Sequence, residues 1–158
     1  MGQGERQTAQ TALAKASELA PRDARTRMLM AEIYMGEREF DPAIKEAQAA
    51  LEIAPQSYRA KLIMGNAFML KRDLDAAGKA FSDIASLEVN SASGLRLKTL
   101  AQAGQAVALA KGGQGKEGLA LVDDLINELN PADIEMAARI YNAQGASYEA
   151  SGDIEGAI

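Results

Sequence analysis

The chain has no cysteine, no histidine and no tryptophan, only seven other aromatic residues and only four prolines among its 158 residues. Without cysteine there can be no disulfide framework and no thiolate chemistry, and without histidine there is no imidazole base and none of the usual zinc ligand sets. A cysteine-free chain is compatible with cytoplasm and periplasm alike. No apolar run approaches the roughly eighteen residues that cross a bilayer, and the first thirty residues contain no signal-peptide core. Direct membrane insertion by this chain is therefore not expected.

Charge is limited too, at 17 Lys and Arg against 22 Asp and Glu, for a net charge of −5. The imbalance lies in the second half, where residues 80–158 carry five basic and eleven acidic side chains; residues 1–79 carry twelve and eleven. An acidic half repels phosphate backbones, so nucleic acid is not an expected partner. Asp123, Asp124, Glu128, Asp133 and Glu135 could meet a basic partner, although a solvated helix face is the simpler reading.

What the chain does have is a period of thirty-four. Ala16 recurs as Ala50, Pro21 as Pro55, Arg25 as Arg59, Met30 as Met64, Tyr34 as Phe68, Met35 as Met69, Asp41 as Asp75 and Ala43 as Ala77, always at the same offset. Leu13, Ala47 and Phe81, then Leu19, Ile53 and Leu87, extend the register to core slots. A unit of that length suits two helices that bury their apolar faces only by stacking on neighbouring units. Small residues at Ala31/Gly65, Ala43/Ala77 and Ala16/Ala50 let helix backbones approach, and Tyr34, Phe68 and Phe81 fill the gaps. Asp41 and Asp73 are placed to act as N-caps, with Pro42 at the first helical position after Asp41. Pro21 and Pro55 end second helices.

The pattern predicts helices at 5–20, 24–37, 41–53, 57–71, 74–88, 92–111, 116–129, 133–150 and from 153 onward. Pro55 and Pro131 stand eight positions further apart than two such units would place them, and lengthened first helices absorb the excess. The expected organisation is one array over 1–158. It has regular repeats at about 24–57 and 58–91, longer and divergent ones over 92–158, and a cut within a repeat at both ends.

At these residues the chain resembles the tetratricopeptide repeat family. One unit reads Met30-Ala31, Tyr34, Phe40-Asp41, Ala43, Ala50 and Pro55, and the next Met64-Gly65, Phe68, Leu74-Asp75, Ala77 and Phe81. Arg27 and Lys61 depart from it by standing where the family often has Trp. The resemblance implies an all-α, right-handed superhelical solenoid of antiparallel helix pairs with about four repeats, and a non-catalytic scaffold that binds protein or peptide partners. Alanine-rich, aromatic-poor repeats of this kind are similar to those of bacterial arrays.

Motifs for catalysis fail in detail. Gly112-Gly113-Gln114-Gly115-Lys116 lacks the first glycine and the Ser/Thr of a phosphate loop and follows a helix rather than a strand. Asp123 and Asp124 point about 100° apart on a helix. There is no nucleophile elbow and no calcium loop, so the chain is not expected to be an enzyme or to carry a metal or other cofactor.

By the resemblance, first helices line a concave groove. Residues three, seven and ten apart on one helix share a face, which selects Arg25, Met28, Glu32 and Met35, then Arg59, Leu62, Asn66 and Met69, then Arg139, Asn142, Ala146 and Glu149. Arginine recurs at one slot. Methionine and leucine between arginines suit an amphipathic helix or extended segment with acidic residues. The competing reading packs the methionines beneath neighbouring repeats and pairs the arginines with carboxylates such as Glu32. Burying Met28, Met35, Leu62 and Met69 against a ligand would yield about 6–12 kcal/mol, against an association cost of about 4–15 kcal/mol. Micromolar binding is the expectation. Asn66 alone matches the Lys and Asn slots by which some relatives clamp chaperone tails, so that role is not expected. The alternatives are a self-associating scaffold, hence a homo-oligomer, and a regulatory arm of a larger enzyme or envelope export complex.

Overall fold

The computed structural model describes residues 22–130 and 132–152, together with Thr8 and residues 11–13, 15, 16 and 18–20. Seven complete helices are described: α1 (Ala24–Gly36), α2 (Phe40–Ile53), α3 (Tyr58–Lys71), α4 (Leu74–Ala85), α5 (Ala92–Lys111), α6 (Gly115–Asn127) and α7 (Ile134–Ser151). Thr8, residues 11–13, 15, 16, 18 and 19 are helical as well, within the span expected for 5–20. The helix expected from 153 onward lies outside the described residues, as does Pro131.

The odd helices start and stop by one rule. Asp23, Ser57, Ser91 and Asp133 each accept a backbone N–H from the first turn of the helix that follows, satisfying donors that have no partner within the helix. Each odd helix is followed within two residues by a left-handed one, at Arg38, Arg72, Gly113 and Gly152. From Asp23 to Ser57 and from Ser57 to Ser91 the caps keep the period, whereas Ser91 to Asp133 exceeds it by eight, so the excess length falls in the third unit. There α5 runs 20 residues against 14 in α3, about 9 Å more at 1.5 Å per residue.

Even helices are amphipathic, burying Ala43, Ile44, Ala47 and Ala50 on α2, then Ala77, Ala80, Phe81 and Ile84 on α4. Asp73 caps α4 as expected, accepting from Ala76 N–H. Asp41 does not cap α2: the helix starts one residue before it, Glu39 takes the cap position, and Asp41 pairs with Lys71 of α3 instead. One period before Asp73 the cap slot falls on Glu39, not on Asp41. Pro42 therefore sits in the third helical position. α4 stops at Ala85, three residues before the expected end, where the Ser86 hydroxyl turns back to donate to the Asp83 carbonyl.

Consecutive helices pack pairwise, and α1, α3, α5 and α7 also touch in succession, so contacts run unbroken along the array. α5 is enclosed by α3, α4, α6 and α7. It buries Ala101, Ala103, Ala106, Ala108 and Ala110, because only a side chain that short admits a backbone on several sides. Phe81, 1% exposed, wedges between α3 and α5, and a Cβ added at Gly65 would stand 2.4 Å from its ring. Ala47 and Phe81 are buried as expected and Leu13 is half-buried, whereas the slot expected to be apolar core at Leu19 and Ile53 is 80% and 37% exposed. Those residues end second helices, beyond the reach of the next one.

Arg27, in the slot where a large aromatic is common, reaches across to Glu46 of α2 at 2.9 Å. The glycines at 112–115 make a tight connection. Gly113 has φ +84°, and a Cβ at Gly115 would lie 2.4 Å from the Ser151 nitrogen, so the turn presses the start of α6 onto the end of α7. No described helix is long and apolar enough to cross a membrane.

Candidate functional site

One cavity is lined by odd helices alone. Leu62 and Asn66 of α3, and Arg139 and Asn142 of α7, open onto one cavity of about 190 Å³. Between them α5 supplies Leu100, Ala103, Gly104 and Val107. Four sequence-selected residues, from two helices with a third between them, thus share one concavity.

The α5 residues were missed because its longer helix lengthens the interval between left-handed turns by seven positions. Counted back from the left-handed Gly113 as α3 is from Arg72, the slots of Arg59, Leu62, Asn66 and Met69 become Leu100, Ala103, Val107 and Ala110. The turn glycines held that signal. The arginine recurrence is thereby broken, since the third unit places leucine where the others have arginine.

The remaining candidates lie toward α1 and do not line this cavity. Met28 and Met35 are half-buried against Ala31, Ala47 and Ile63, and Ser57 Oγ donates to the Met28 sulfur at 3.3 Å. Met69 packs with Leu62 on the cluster of Ala77, Phe81 and Ile84. Met64 packs on the same cluster as Met28 and Met35, and Met30 is half-buried. Arg59 donates to Glu32 Oε1 at 2.7 Å, joining α3 to α1. Arg25 is exposed near the start of α1. Part of the apolar area of the methionines is therefore spent within the fold, and a ligand gains less from them than full burial would give.

Around the mouth Asn66, Asn142 and Arg139 are exposed, with Arg139 held loosely by Glu135 at 3.6 Å. The cavity offers hydrogen-bond donors above an apolar floor. No cluster of carboxylates among the described residues could hold a metal ion. The Thr26 hydroxyl, then the Arg25 backbone N–H, holds the Asp23 carboxyl below the usual carboxylate range, a structural effect at the start of α1.

This architecture is that of a helical-repeat solenoid. A tetratricopeptide repeat family model matches residues 1–62. Two crystal structures of MamA share its fold at a TM-score of 0.73 and 20% identity, over 98% of this chain and 78% and 83% of theirs. YrrB, described as a TPR protein with an unusual peptide-binding site, aligns at a TM-score of 0.47 and 18% identity, over 93% of this chain and 87% of its own. No curated protein matches the sequence. Tetratricopeptide arrays generally act as non-catalytic scaffolds that bind protein or peptide partners.

Proposed function

We propose that the chain is a non-catalytic adaptor, one continuous array that holds a peptide or helix of a protein partner along the wall formed by α1, α3, α5 and α7. The observation that carries the reading is the cavity shared by Leu62, Asn66, Arg139 and Asn142 across α5. Its floor takes an apolar anchor. Its rim of two carboxamides and a guanidinium donates to acceptors, which favours backbone carbonyls and acidic side chains on an amphipathic partner. Arg25, Met28, Glu32, Met35, Arg59 and Met69 would extend the contact surface toward α1. With the methionines already half-buried, affinity rests mainly on this cavity.

A photo-crosslinking residue placed at Asn66 or Asn142 tests the assignment against one placed at Lys45, exposed on the second helix α2. Adducts with the same partner from both inner positions, absent from Lys45, are expected. Equal yield from Lys45, or silence at Asn142, refutes the groove.

A further inference from the structure

We infer that the array has a second docking pocket, separate from the groove, which takes a large apolar side chain from a protein segment carrying lysine or arginine beside it. The pocket has a volume of about 220 Å³ and shares no lining residue with the groove cavity. It lies where the lengthened N-terminal ends of α5 and α7 meet the C-terminal end of α6. Leu125, Met136 and Ile140 form its buried floor, and Leu129 and Leu95 its walls. Leu95 is a large apolar side chain left 57% exposed.

The occupant's charge follows from what surrounds that floor. Arg96 is the one described cation lining the pocket, and it is already taken by Asp133 and by Glu135, the latter at 2.7 Å. The C-terminal end of α6 carries the negative pole of its dipole, yet its last turn has no basic residue and Glu128 occupies the C-cap. Asp123 and Asp124 are exposed one turn back. Glu37 holds the same position after α1, and Glu128 in addition lines the apolar pocket. A partner cation seated beside Glu128 would supply the missing charge while its apolar neighbour covers Leu95. The groove's rim donates to acceptors, so the two sites select opposite partner chemistry.

The test uses the methyl-labelled chain and two blocked synthetic peptides, one of leucine, phenylalanine and lysine, the other with every lysine replaced by glutamate. Titration of the lysine peptide is expected to move the methyl resonances of Leu95, Leu129 and Ile140 and to bind at least about tenfold more tightly than the glutamate peptide. Leu95→Ser and Glu128→Lys, both at exposed positions, are each expected to weaken it at least about fivefold, with helical circular dichroism retained, while Asn66→Ala leaves it unchanged. Four results overturn the inference: unmoved pocket methyls, equal affinity for both peptides, full affinity in both pocket variants, or shifts at Leu62, Leu100 and Val107 instead. Pocket shifts that grow with protein concentration before any peptide is added assign the site to a second copy of the chain and overturn it as well.

Discussion

The wedge of Phe81 between two glycines makes a sharp energetic prediction. A Cβ at Gly65 would stand 2.4, 2.7 and 2.8 Å from three atoms of the Phe81 ring, distances that real contacts do not show. Gly65→Ala therefore forces the ring or the α3–α4 spacing to move, an overpacking cost of about 1–3 kcal/mol. It is partly offset by the gain of about 1 kcal/mol for alanine over glycine inside a helix. Phe81→Leu removes the ring and leaves space against both Gly65 and Gly104, which costs about 1–3 kcal/mol. In the double variant the new methyl enters space the ring has vacated, so the helix-propensity gain is realised without the clash. The double variant is then expected to be more stable than the sum of the single changes predicts, by at least about 1 kcal/mol. Urea unfolding followed by helical circular dichroism reads this directly, since 1 kcal/mol is about 0.5 M in midpoint for a slope near 2 kcal/mol/M. Additivity within about 0.5 kcal/mol would refute the wedge as the determinant of spacing between the second and third units.

Arg38 and Arg72 hold φ values of +63° and +64°, so Arg38→Gly and Arg72→Gly are each expected to raise stability by about 0.5–1 kcal/mol, with Gly113→Ala moving it the other way in the same urea assay. Asp23 has a folded pKa below its unfolded one, so its cap contributes stability above the ordinary carboxylate pKa of about 3.9 and loses it as pH falls through the lower folded value. The thermal midpoint difference between the parent and Asp23→Asn should accordingly be constant from pH 7 to 5 and shrink below pH 4; a difference that persists at pH 2.5 would show that the charge is not the cause. Tyr58→Phe deletes the 2.7 Å bond from its hydroxyl to the Glu88 carbonyl and should cost about 1 kcal/mol, read as an earlier midpoint with an unchanged slope.

The helices were legible in the sequence because the units use one set of punctuation. Ser57, Asp73, Ser91 and Asp133 are caps that a hydroxyl or carboxylate makes locally, without tertiary help. Asp41 misled because a cap and a first-turn acid look alike one or two residues apart, although the period counted back from Asp73 puts the cap slot on Glu39. The cavity between α3 and α7 was half legible. A fixed spacing finds Leu62, Asn66, Arg139 and Asn142, but it says nothing of how deep a methionine sits, which depends on the bulk of the helix behind it. Small residues such as Ala31 and Ala47 draw α1 and α2 together and take Met28 and Met35 into the seam.

One change of length accounts for both concavities. Lengthening α5 carries residues 92–98 beyond the register of α3, while Leu100, Ala103 and Val107 stay in the groove slots because the turn at Gly113 sets them. The regular units have no counterpart of Leu95 and Arg96, so the second pocket arises from the added turns rather than from the repeat. Arg96 then ties those turns to Asp133 and Glu135 at the start of α7, which holds the mouth of the pocket and the position of Arg139 together, since Glu135 pairs with both. Occupancy of one site can thus be felt at the other through a single carboxylate: Glu135→Gln should weaken any coupling between a groove ligand and a pocket ligand while leaving each binding on its own. Separate titrations in the parent and in Glu135→Gln, with and without the other ligand, measure that difference, and coupling of equal size in both chains would exclude Glu135 as the link.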